Sequence, residues 1–148
     1  MLSLTHTIIS LPFGVYFENP LFIFLAAAAL HFAADMLPHW NIYPQNFSRF
    51  PYGLVALDVI GGLGMAFALV GNDLFTIPVL AAIAGGNAPD IAHCLWLIAG
   101  GEKQPRKTSS WLNAPLNFHH RIQFELVSPA KGLISQAIGM LIAVILIK

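Results

Sequence analysis

Leu30-His31-Phe32-Ala33-Ala34-Asp35-Met36-Leu37-Pro38-His39-Trp40 closes a long apolar run and carries three ionisable groups, His31, Asp35 and His39, spaced four residues apart. On a helix this spacing puts His31 and Asp35 on one face, one turn apart. Pro38 biases Leu37 out of the helical region, so the helix is expected to end near Leu37. His39 then falls at or just past the helix end, still close to Asp35. Asn19-Pro20 reads as the capped start of the same helix. Residues 21–37 are nearly long enough to cross a bilayer core, which takes roughly 20 helical residues. An acid and two imidazoles at the end of such a helix are costly and call for an explanation.

The whole chain fits this setting. Of 148 residues, 57% are hydrophobic and 9% charged, against about a quarter charged in a soluble domain. The mean hydropathy is +0.71. The expected fold is an all-α integral membrane bundle of four to five apolar helices, a single domain over residues 1–148. Seven basic and seven acidic side chains balance, and no basic cluster is interleaved with aromatics, so nucleic acid is not an expected partner. Cys94 is the single cysteine, which excludes an internal disulfide and a Cys-rich metal site. The N-terminus lacks a basic region before its apolar run, so a secretory signal peptide is not expected.

The other apolar segments follow from the same pattern. Residues 1–17, interrupted by Pro12 and Gly14, read equally as spanning, interfacial or re-entrant. Residues 52–70 form a spanning candidate that contains Asp58, with Gly61, Gly62 and Gly64 suited to close helix contact. Residues 74–99 are apolar but cut by Gly85-Gly86-Asn87-Ala88-Pro89-Asp90. This predicts a helix broken near 85–89, which a membrane tolerates only where the backbone faces protein or water. Residues 131–147 make a last, minimal span.

Basic residues mark the cytoplasmic side. Lys103, Arg106, Lys107, Arg121 and Lys131 all follow the fourth apolar segment. Threading back from a cytoplasmic position there puts Arg49 inside and only Lys148 outside. The same threading gathers His6, His31, Asp35, His39, Asp58, Asp90, His93, His119 and His120 into one layer on the cytoplasmic side. Nothing in the charge count requires that coincidence.

A set of His and Asp side chains without Cys suits Zn²⁺, Mn²⁺ or Fe²⁺. Metal-bound water becomes a nucleophile near neutral pH, and a spare carboxylate, Asp35 or Asp90, would act as general base. A site at the inner face among spanning helices meets membrane lipid and lipid-linked substrates. The expected function is therefore a metal-dependent hydrolase acting on a phosphate or ester bond of a lipid-like substrate at the bacterial inner membrane. Two alternatives stay open. The cluster could be structural, each acid locking helices through one partner. Or it could relay protons or metal ions, although a carrier should also have ionisable groups across the outer half, where none is found.

Three stretches support a resemblance: Leu4-Thr5-His6-Thr7, the His31 to Trp40 stretch, and Ala88-Pro89-Asp90-Ile91-Ala92-His93. In this order they resemble small bacterial membrane proteins akin to the predicted membrane-bound metal-dependent hydrolases of the LexA-regulated, YdjM-like group. The resemblance implies metal-site roles for His6, His31, Asp35, Asp90 and His93, and matches His120-Arg121 to the start of a final His-Arg motif. Two positions depart from the pattern. Ala92 stands where a second Asp is expected, and Phe124 where a second His is expected. The resemblance thus implies either a metal site with fewer ligands or a relic without turnover.

Overall fold

In the computed structural model, residues 1–42, 51–98, 113–125 and 128–148 are described. The loop containing Pro44 and Arg49, and the stretch with Lys103, Arg106 and Lys107, lie outside these residues. Among the described residues there are five long helices, α1 (Ser3–Tyr16), α2 (Pro20–Asp35), α3 (Tyr52–Val70), α4 (Ile77–Ile98) and α6 (Pro129–Ile147), and a shorter α5 that covers Asn113–Ile122. A 3-10 turn, Gly71–Phe75, joins α3 to α4.

The start of α2 follows the expected chemistry. The Asn19 side chain accepts from the amides of Leu21 and Phe22, and Pro20 occupies the first turn, where its missing N–H is no loss. The helix ends at Asp35, two residues before the expected Leu37.

The central element is α1, which touches α2, α3, α4 and α6. Its buried face holds Thr5, His6, Ile8, Leu11 and Gly14. Contacts fix the relative directions. Asp58 meets Ser3 and Gly62 lies against Leu4, so α3 runs parallel to α1. Gln136 meets Leu2 and Thr5 while Tyr16 donates to the Leu146 carbonyl, so α6 is parallel too. Gly14 packs on Val79 and Gly86 on His6, so α4 runs the opposite way. Thus α1, α3 and α6 share one direction and α4 takes the other.

Close approach rests on small residues. A Cβ at Gly14 would lie 2.6 Å from Val79 Cα, and one at Gly85 would overlap the Phe24 backbone. This explains a correction. The break expected near 85–89 is absent, and α4 is helical throughout Ile77–Ile98 with Pro89 inside. Gly85 and Gly86 serve interhelical packing rather than a turn. The Asn87 side chain bonds back to the Ile83 carbonyl at 2.9 Å, and the neighbouring helix supplies His31 Nδ1 at 2.7 Å to the Gly86 carbonyl. Proline is tolerated inside a helix whose backbone is packed against neighbouring helices.

Among the described residues, two helical stretches are long and apolar enough to cross a membrane, Tyr52–Phe75 and Pro129–Ile147, and only 11% and 17% of their apolar stretches are buried in the protein. A soluble protein's core helix would be mostly covered. Here Leu57, Ile60, Leu141 and Ile145 point outward. The helix α2 is apolar but shorter.

Gly14→Ala should therefore force α1 from α4 and cost about 1–3 kcal/mol. Gly64→Ala, with no atom within 4 Å of its added Cβ, should leave stability unchanged or slightly raised. Thermal unfolding in detergent compares the two.

Candidate metal centre

The carboxylate of Asp35 is fully buried at the end of α2. Four imidazoles reach it. His119 Nε2 lies at 3.0 Å and His31 Nε2 at 3.2 Å from Oδ2. His6 Nε2 lies at 3.3 Å and His39 Nε2 at 3.8 Å from Oδ1. The Met1 nitrogen donates to Oδ1 at 2.8 Å. Asp90, on α4 and partly exposed, faces the same space. Its Oδ1 is 3.6 Å from both His31 Nε2 and His119 Nε2, and its Oδ2 is 3.9 Å from His6 Nε2.

Each ring is delivered by local structure. His6 comes from the first turns of α1. His31 stands one turn before Asp35 on α2, as the spacing predicted. The chain then turns at Pro38 and returns His39. A short backbone pairing holds this turn, with the His39 amide donating to the Phe124 carbonyl and the Phe124 amide to the Asp35 carbonyl, each at 3.0 Å. That pairing fixes the end of α5, which carries His119.

The hydrogen bonds on the far side of the rings decide which nitrogen faces the centre. His31 Nδ1 donates to the Gly86 carbonyl at 2.7 Å, leaving Nε2 as a lone pair. His39 Nδ1 donates to the Leu37 carbonyl at 2.8 Å. Burial pushes the His39 imidazole below its ordinary range, which keeps it neutral. His93 Nδ1 sits 3.4 Å behind His119 Nδ1 and so backs that ring.

His31, Asp35, Asp90 and His119 each offer a ligand atom, and these atoms all lie within 4.8 Å of one another. The inner three form a triangle with edges of 3.0, 3.1 and 3.2 Å. Zn²⁺ bound tetrahedrally at 2.0–2.2 Å separates its ligand atoms by roughly 3.3 Å. His31 Nε2 and His119 Nε2 facing each other across 3.1 Å is an arrangement that a shared cation satisfies. The donor set therefore fits a divalent ion.

The other expected residues divide. His6 and His39 join the cluster through Asp35, and His93 supports it from behind. Asp58 does not join. It accepts from the Ser3 and Leu4 amides at 2.7 and 3.1 Å, capping α1, whose own N-cap, Leu2, makes no side-chain bond. The His120 side chain lies outside the described residues, and of that pair His119 enters the site. Two groups went unread in the sequence. Gln123 brings its side-chain nitrogen to 3.1 Å from His119 Nε2. Gln136 is buried with every bond used, accepting from Leu2 and Thr5 and donating to the Trp40 and Gly132 carbonyls. A lone amide within an apolar span was the available signal.

Asp90 also lies on the wall of a cavity of about 390 Å³ between α3 and α4, within the roughly 300–1,000 Å³ of ligand sites. Val55, Val59, Leu63 and Ile83 make it largely apolar, while Asp58 and His93 add polar groups.

Comparison with known proteins gives no match to a family model, a curated protein or a solved structure.

The two carboxylates should differ in structural weight. Asp35→Ala leaves the buried Met1 ammonium unpaired and should cost about 3–5 kcal/mol in metal-free protein. Asp90→Ala, at a side chain 29% exposed, should cost less than about 1 kcal/mol. Chemical unfolding in detergent after chelation measures both.

Proposed function

We propose that the protein is a metal-dependent hydrolase working at the cytoplasmic face of a bacterial inner membrane on a phosphate or ester bond of a lipid-like substrate. The observation that carries this is the meeting of His31, His119, Asp35 and Asp90 at one point beside a largely apolar cavity. A purely structural cluster would need one partner for Asp35, whereas several imidazoles converge on it. The resemblance of the His6, His31 and Asp90 stretches to YdjM-like proteins points the same way.

In this proposal α1, α2, α3, α4 and α6 all cross the bilayer. The short α1 needs no full lipid-facing length, because the other long helices surround it. The basic residues near α5 then orient the cluster inward.

A divalent ion at this point supplies an acidified water and polarises the scissile bond. Asp35, buried and held by several rings, anchors. Asp90, at the cavity edge, takes the proton of the attacking water. The water oxygen bonds to phosphorus or to the ester carbon, the bond to the alkoxide leaving group breaks, and Asp90 returns the proton to that alkoxide. An acyl or prenyl chain would occupy the apolar part of the cavity.

Purified protein loaded with Zn²⁺ or Mn²⁺ should retain metal through desalting and release product from phospholipid or lipid-phosphate micelles. Chelation should abolish turnover. His31→Gln should lose metal, and Asp90→Asn should lower kcat by about 10²–10⁴-fold. Protein that binds no metal and hydrolyses none of these substrates would leave the structural role instead.

A further inference from the structure

Two bases of the cluster are left over once one ion is counted. His6 and His39 are both fully buried. Neither nitrogen of His6 has a hydrogen-bond partner among the described residues, nor does His39 Nε2. Buried polar atoms are almost always satisfied, so three ring nitrogens without a hydrogen bond, on two imidazoles beside one carboxylate, ask for a missing partner. Both rings approach the same oxygen, Asp35 Oδ1, at 3.3 and 3.8 Å. His31 and His119 approach the other oxygen, Oδ2. Asp90 repeats the division, with Oδ1 toward His31 and His119 and Oδ2 toward His6.

The two carboxylates thus each present one oxygen to one pair of imidazoles and the second oxygen to the other side. The rings of His6 and His31 are stacked, with centroids 3.8 Å apart and planes 23° off parallel. Two imidazolium cations would repel in that arrangement. Two neutral rings aiming lone pairs at neighbouring cations would not.

We propose that the site is binuclear: Asp35 bridges two divalent ions, one held by His31 and His119, the other by His6 and His39, while Asp90 faces both positions from the cavity side as the proton acceptor. This rests on the metal site proposed above and adds a second position to it. The Met1 nitrogen lies 2.8 Å from the same oxygen, Asp35 Oδ1. Paired ions clamp both the attacking and the leaving oxygen of an in-line displacement, which favours phosphate esters over carboxylic esters as the substrate class.

The test uses full-length protein in detergent, loaded with Mn²⁺, desalted, and examined by elemental analysis and electron paramagnetic resonance. The expected count is about two ions per chain, with a spectrum broadened by exchange between them. His6→Gln and His39→Gln should each reduce the count to about one and restore the hyperfine pattern of isolated Mn²⁺, with helicity unchanged by circular dichroism. A wild-type count near one, with an isolated-ion spectrum, overturns the second position and leaves the first. A count near zero overturns both. Two ions that survive both substitutions overturn the assignment of His6 and His39. The wild-type count and spectrum stand by themselves if a variant fails to fold.

Discussion

A carboxylate without water contact governs this fold. Asp35 is fully buried, and an unpaired charge there would cost several kcal/mol. Its compensation comes from far apart in the chain. The Met1 ammonium and His6 bring α1, His119 brings α5, and His39 brings the turn that follows α2. Each of these segments is therefore held where the charge needs it. The apolar surfaces of α3 and α6 could pack in many registers, since lipid and leucine are equally apolar. The polar centre selects one register.

That selection works only because the backbones can come close. Gly14 against Val79, Gly85 against Phe24 and Gly62 against Leu4 remove the side chains that would hold the helices apart. Two further polar contacts set the ends. Asp58 caps α1 from α3, and Gln136 ties the start of α1 to α6 and to the Trp40 turn. Gly132 lets that turn seat on α6, where a Cβ would meet the Trp40 backbone. Charge, caps and small residues thus converge at the start of α1, which is where the site lies.

The parts legible in the sequence were those set by local rules. The spacing of His31, Asp35 and His39 placed three groups of the site, and Asn19-Pro20 placed a helix start. Apolar runs located the long helices, and among the described residues Tyr52–Phe75 and Pro129–Ile147 are long and apolar enough to cross a membrane. Errors arose where tertiary contact overrides local preference. Gly-Gly-Asn-Ala-Pro has the composition of a break, yet the helix continues, and Gly85 and Gly86 are used for close contact with α2 and α1, which no local rule contains. Asp58 shares the layer of the other acids, but α1 takes both its oxygens as a cap. The centrality of α1 was invisible for a similar reason: a short helix with Pro12 is stable only inside a ring of neighbours. The resemblance to YdjM-like proteins rests on short motifs alone.

Asp35 and Asp90 illustrate how burial divides labour between chemically identical groups. Asp35 is fixed on all sides, so it cannot move to accept and release a proton without disturbing four segments. It suits permanent binding. Asp90 is on the cavity wall with part of its side chain exposed, and it lies farther than Asp35 from each of the three rings they share, His31, His119 and His6. It can exchange partners at little cost. A proton acceptor must do this within each turnover, whereas a ligand that sets geometry must not. The sequence cannot distinguish the two residues, since each is an aspartate in an apolar helix. Their difference arises from the helices around them: Asp90 opens onto the cavity lined by α3 and α4, whereas Asp35 is enclosed where α1, α2 and α5 meet.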